Sequence, residues 1–181
     1  MCGITGFADI RQSKNSYDSK RIIGDMTDIL KSRGPDDKGI WIDKEHNICL
    51  GHRRLSIIEL SNLGKQPMTS HNNRFVIIYN GEIYNFLDIK KELEQENINF
   101  LGNSDTEVLI EAFSNWGIKK TLSKISGMFA FAIWDKKNKE LTLARDRIGE
   151  KPLYYGWSKN SFLFGSELKS IKVHPRFDNT I

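Results

Sequence analysis

The chain has few cysteines, no long apolar runs and no blocks of one charge, and each shortage closes off a class of protein. Its only cysteines are Cys2 and Cys49, without metal-like spacing, which points to a reduced, cytosolic setting. The longest apolar runs, such as Phe129-Ala130-Phe131-Ala132-Ile133-Trp134, are far too short to span a bilayer. The N-terminus lacks a basic segment followed by an apolar one, so no signal peptide is expected. The net charge of +4 is small and its basic residues alternate with acids, as in Asp135-Lys136-Lys137. Nucleic acid and membrane are therefore not expected partners. No phosphate-binding loop of the Gly-x-x-x-x-Gly-Lys-Ser/Thr type and no Gly-x-Gly-x-x-Gly occurs. His46, His52, His71 and His174 show no ligand spacing, so neither a nucleotide nor a metal site is inferred in this segment.

What remains is ordinary for a globular protein: 181 residues, 39% apolar and 28% charged, enough for one α/β or α+β domain with a real core. Residues 2–8 read as a buried strand. Residues 18–32 carry Ile22, Ile23, Met26, Ile29 and Leu30 at helical spacing, stopped by Arg33-Gly34-Pro35-Asp36-Asp37. Residues 39–42 and 48–50 read as a strand pair, with Cys49 buried in it. Residues 74–79 read as a strong strand, and Asn80-Gly81 as a turn after it. Residues 86–96 predict a short amphipathic helix. Ser104-Asp105-Thr106-Glu107 has capping-box spacing and opens a second helix, with a third running to about 126. Strands follow at 128–134, 140–145, 152–157 and 162–165, then a helical segment at 167–171. This order is not a βαβ alternation. It fits an α+β fold of two mainly antiparallel sheets with helices on their outer faces. The chain stops soon after that last segment, which fits a piece of a longer polypeptide.

Cys2 is the first candidate for chemistry. If Met1 is trimmed, one residue carries both a thiol and an α-amine, and such amines titrate near ~8. The amine could then take the thiol proton, the smallest form of a base-activated nucleophile. Burial at the start of a strand is the competing reading. Asn80-Gly81-Glu82 could aim a side-chain amide and a backbone N–H at one oxyanion, or it could simply be a hairpin turn. In His52-Arg53-Arg54-Leu55-Ser56-Ile57-Ile58, an arginine at a strand end could hold a substrate carboxylate with two hydrogen bonds. A solvated basic pair is the alternative. Asp105 and Glu82 could each meet an ammonium group, and Asp105 could equally serve only its helix N-terminus.

Taken in order, these segments resemble one family. They are Met1 to Phe7, Arg33 to Asp37, His52 to Ile58, Gln66-Pro67-Met68, Tyr79 to Asn85, Ser104 to Val108, Gly127 to Phe131, and Arg145 to Tyr155. Each is weak alone, but the ordered set is similar to the N-terminal glutaminase domain of glutamine-hydrolysing asparagine synthetases, class II glutamine amidotransferases with an N-terminal-nucleophile fold. The resemblance covers nearly the whole chain and implies one such domain over residues 1–181, an αββα sandwich with two mainly antiparallel sheets between helix layers. It implies Cys2 as nucleophile with its freed amine as base, and Asn80 with the Gly81 N–H as oxyanion hole. It implies Arg54 on the glutamine α-carboxylate, within a binding segment Arg54, Leu55, Ser56, Ile57 and Ile58, and Glu82 and Asp105 toward the α-amine. The implied reaction turns L-glutamine into L-glutamate and ammonia through a γ-glutamyl thioester.

No cofactor is implied for that half-reaction. ATP and Mg, with the synthetase domain that receives the ammonia, are implied beyond residue 181. The resemblance implies a cytoplasmic enzyme and leaves a homodimer open. Two alternatives stand beside it: the glutaminase half of a sugar-amidating transferase of polysaccharide synthesis, and a catalytically silent glutamine-binding or docking module. Glu59 and Glu150 depart from the family's usual residues, and neither is an implied catalytic position.

Overall fold

The structure is a computed structural model that describes residues 1–9, 18–57 and 59–178. The chain divides into two compact units, one formed by Met1–Leu55 with Pro152–Ile181 and the other by Ser56–Lys151.

The first unit is built on a five-stranded antiparallel sheet. Its strands are β1 (Gly3–Asp9), β2 (Asp37–Asp43), β3 (Ile48–Arg54), β8 (Tyr154–Ser158) and β9 (Ser161–Gly165), in the order β2-β3-β1-β9-β8. β1 lies between β3 and β9, and Ile4, Thr5 and Phe7 are buried on it, so both its faces read as apolar rather than alternating. Helix α1 (Ser19–Asp28) packs on β1, β2 and β3 through Ile22, Ile23 and Met26. Asp18 caps it by accepting from the Arg21 N–H at 3.1 Å. The short α5 (Leu168–Lys172) lies against β9 and β1.

Helix α1 ends at Asp28, earlier than the apolar spacing to residue 32 predicts. Residues 29–33 continue as turns, closed by Arg33 N–H to Leu30 O at 2.9 Å. Leu30 remains buried there, so it keeps the helical spacing without the helix.

The second unit holds a four-stranded antiparallel sheet ordered β4-β5-β6-β7: Met68–Thr69, Phe75–Ile83, Gly127–Asp135 and Glu140–Arg145. On β5, Phe75, Ile77, Tyr79 and Ile83 join one core with Ile89 and Leu93 of α2 (Phe86–Gln95) and Val108, Leu109, Ala112 and Phe113 of α3 (Asp105–Trp116). Val76, Ile78 and Asn80 alternate with them and are buried on the opposite face. Helix α4 (Ile118–Lys124) follows Gly117, whose φ of +81° ends α3 in a conformation that favours glycine.

Two local expectations change here. Asn80-Gly81 is not a turn. β5 continues to Ile83, with Asn80, Gly81 and Glu82 opposite Ala130, Phe129 and Met128 of β6. The glycine is required by crowding, since a Cβ at position 81 would lie 2.4 Å from Met128 O and 2.7 Å from Phe129 Cα. Only half of the capping box forms. Ser104 Oγ accepts from Glu107 N at 3.2 Å, whereas the Glu107 carboxylate accepts from Leu101 N at 2.7 Å and Gly102 N at 2.8 Å. The loop ahead of the helix thus takes the arm that would otherwise return to Ser104.

Candidate active site

In the first unit the candidate residues meet through backbone atoms. Cys2 sits just before β1 and is half-buried. Its Sγ accepts from the Leu55 N–H at 3.4 Å and donates toward Leu55 O at 3.7 Å. Leu55 follows β3, whose antiparallel register pairs Gly3 with Arg53, so the strand pairing itself delivers residue 55 to the cysteine. The Cys2 carbonyl accepts from Arg33 Nε at 2.9 Å, and Arg33 Nη1 meets Glu167 at 3.1 Å. Arg33 Nη2 is buried with no hydrogen-bond partner among the described residues.

Both arginines of the Arg53-Arg54 pair are buried, so the reading as a solvated doublet is corrected. They lie on β3, covered on their own strand, rather than on a polar surface. Arg53 is committed to structure: it pairs with Asp28 and donates from Nε to Thr27 O at 3.3 Å. Arg54 closes the strand, with its carbonyl accepting from Asp36 N at 3.1 Å. Gly34 makes this fit possible, because a Cβ there would lie 2.4 Å from Arg53 C and 2.5 Å from Arg54 N.

Past Leu55, Ser56 is half-buried and Ile57 is 73% exposed. Ile58 lies outside the described residues.

In the second unit, Asn80, Gly81 and Glu82 stand in series on β5. Asn80 is 2% exposed, and its Nδ2 is a buried donor with no partner among the described residues. Leaving such a donor unsatisfied costs about 1–3 kcal/mol. Glu82 is exposed. Asp105, at the first turn of α3, is buried, and its Oδ2 accepts from Tyr79 Oη at 2.7 Å and from Ile83 N at 3.1 Å. Burial pushes its carboxyl above the usual range. The Tyr79 hydroxyl opposes this, and the Glu82 charge adds to it.

Nearby, Asp146 accepts from Glu150 N at 2.8 Å, Lys151 N at 3.0 Å and Phe129 N at 3.2 Å. Its carboxyl falls below the usual range: burial raises it, and these N–H donors outweigh that effect. They hold the loop of the Arg145-Asp146-Arg147 segment in place.

The two thiols differ. Cys49 is buried on β3, and burial pushes its thiol up to about 12, so it stays protonated and unreactive at neutral pH.

Sequence reasoning missed Arg33 and Tyr79 as site residues. Arg33 was visible as part of a helix stop and of one family-like segment, with no role of its own. Tyr79 read as a strand position at the head of a family-like segment, and its hydroxyl was the unused signal.

Against known proteins, residues 1–181 match a family described as "Glutamine amidotransferase domain". Asparagine synthetase [glutamine-hydrolyzing] 3 of Bacillus subtilis (strain 168) is 44% identical over 97% of this chain and 28% of its own length. Putative asparagine synthetase [glutamine-hydrolyzing] 2 of Methanocaldococcus jannaschii is 41% identical over 94% of this chain and 35% of its own. The chain thus spans about a third or less of these relatives. Among solved structures, a glutamine phosphoribosylpyrophosphate amidotransferase from B. subtilis, complexed with ADP and GMP, superposes with a TM-score of 0.78. That match is 24% identical and covers 95% of this chain and 43% of that one. The likeness shows the fold, an α+β architecture of antiparallel sheets and helices as expected from the sequence. With the family matched from the first residue to the last, this chain belongs to the glutamine amidotransferase domain family.

Proposed function

We propose that the chain hydrolyses L-glutamine to L-glutamate and ammonia through a γ-glutamyl thioester on Cys2. The observation that carries the reading is Asn80: a buried amide donor without a partner among the described residues, followed by a glycine. A site that stabilises an oxyanion needs such a donor held ready before the charge appears.

The steps follow from the residues. With Met1 removed, the Cys2 amine takes the thiol proton and the thiolate attacks the amide carbon. Asn80 Nδ2 and the Gly81 N–H receive the developing oxyanion. The carbon–nitrogen bond breaks as the ammonium returns its proton to the leaving ammonia. Water then adds to the thioester, releasing glutamate and restoring the thiol. Arg54 binds the α-carboxylate at the end of β3, in the segment continuing through Leu55, Ser56, Ile57 and Ile58, while Asp105 and Glu82 bind the α-ammonium. Arg33 holds the Cys2 carbonyl and so fixes the direction in which the sulfur points.

The residues assigned here use no cofactor. In a longer protein of the asparagine synthetase kind, ammonia would pass to a C-terminal synthetase domain that uses ATP and Mg, with aspartate as acceptor, in the cytoplasm. No described helix is long and apolar enough to cross a membrane.

The test pairs N-terminal mass with ammonia release from glutamine. Active protein should lack Met1, and Cys2→Ala should lower turnover by on the order of 10⁴ or more. A glutamine-like electrophile should add to Cys2 and leave Cys49 untouched. Equal turnover in wild type and Cys2→Ala would refute the mechanism.

A further inference from the structure

Asp105 is an awkward residue to use for binding a cation. Its burial favours the neutral acid, which would attract an ammonium poorly, and the Glu82 charge on β5 works in the same direction. What opposes both is hydrogen bonding. Tyr79 Oη and Ile83 N, both from β5, converge on Oδ2, and the Thr106 N–H contributes from the carboxylate's own helix. With two donors on one oxygen, the rotation of the carboxylate is set from the strand.

Tyr79 is itself held. Its ring is 2% exposed within the core of the unit. Its N–H donates to Gln66 Oε1 at 2.6 Å, and Gln66 Nε2 donates to Thr106 Oγ1 at 3.3 Å. One glutamine therefore braces the tyrosine on β5 and the residue after Asp105 on α3. A phenol so fixed sits where it is for more than packing, because a phenylalanine would fill the same core space.

We propose that Tyr79 is a positioning residue for substrate selection: its hydroxyl orients the Asp105 carboxylate, so that the site prefers a substrate bearing an α-ammonium. This rests on the reading of Asp105 given under the proposed function.

Tyr79→Phe removes one oxygen and leaves the ring. In protein lacking Met1, glutamine is compared with 4-carbamoylbutanoate, which has the same amide and carboxylate but no α-amine. A hydrogen bond to a charged group predicts that Tyr79→Phe raises KM for glutamine about tenfold with kcat within about twofold. The preference for glutamine should fall by a similar factor, and the acid limb of kcat/KM should move up by about one pH unit. The preference is a ratio within one preparation, so a partly unfolded variant does not imitate the effect.

Asp105→Asn separates the two layers of the argument. If it loses the preference while Tyr79→Phe keeps both preference and acid limb, the role of Tyr79 is overturned and the reading of Asp105 stands. If Asp105→Asn also keeps the preference, or wild type does not turn glutamine over, the underlying reading fails and the proposal with it.

Discussion

Around Cys2 the first unit offers mostly main-chain contacts: Leu55 N and O meet the sulfur, and the Cys2 carbonyl meets Arg33. On β5 and α3 the second unit offers side chains: the Asn80 amide, the Asp105 carboxylate and the Tyr79 phenol. The first arrangement follows from strand register. The second rests on individual groups, one without a partner among the described residues and one pushed toward its neutral form by burial. The proposed nucleophile is thus placed by the fold, and the groups proposed to recognise charge are placed residue by residue.

The sharpest way to break that contrast is Asn80→Ala. Loss of one oxyanion donor should lower kcat by about 10²–10³. Stability should move little, because the lost amide was making no hydrogen bond among the described residues and its removal relieves a buried orphan. Ammonia release and thermal unfolding on the same sample check both halves. A large fall in melting temperature with modest loss of kcat would make Asn80 a structural residue instead.

The same contrast explains what could be read from the chain alone. Strands β1, β3, β6, β7 and β9 and helices α2 to α4 are marked by local periodicity and were legible within a few residues. Cys2 stood out as a candidate through its position together with the ordered set of segments that follows it. Asn80-Gly81 was misread as a turn because the dipeptide signal is local, while the reason for the glycine is a cross-strand neighbour, Met128, far along the sequence. Arg33, Tyr79 and Gln66 were passed over for a related reason. Their partners are Cys2, Asp105 and Thr106, at separations that no window of sequence brings together.

A smaller effect is expected at Arg33, whose side chain holds the Cys2 carbonyl in the first unit. Arg33→Met keeps much of the stem and removes the bond to the Cys2 carbonyl and the pairing with Glu167. It should lower kcat about tenfold with little change in KM, as expected for a residue acting through Cys2 rather than on glutamine. Stability should fall by about 1–2 kcal/mol, because the lost groups are largely shielded from solvent. If Arg33→Met instead raises KM with kcat intact, the arginine belongs among the substrate-binding groups.

The effect on activity is smallest for the last contrast, which distinguishes the units by pH. In the first unit His174 is buried, and burial lowers its imidazole to about 4, with the nearby Asp9 charge only partly opposing this. Its Nδ1 accepts from Arg176 N at 3.2 Å, so the neutral ring carries its proton on Nε2, which has no partner among the described residues. An unfolded histidine binds its proton near ~6.5 and the folded one resists until about 4, so the unfolded chain gains protons first. Stability is therefore complete above pH ~6.5 and declines as pH falls toward about 4, by about 3 kcal/mol in all. The carboxylates held low, Asp146 among them, lose their contributions only at more acid pH. Hydrogen-exchange protection between pH 7 and pH 5 should fall on β1 and β9 more than on β5 and β6. His174→Asn, which retains an acceptor for Arg176 N, should abolish that difference. Equal loss of protection in both sheets would mean that the buried imidazole does not govern the acid response of the first unit.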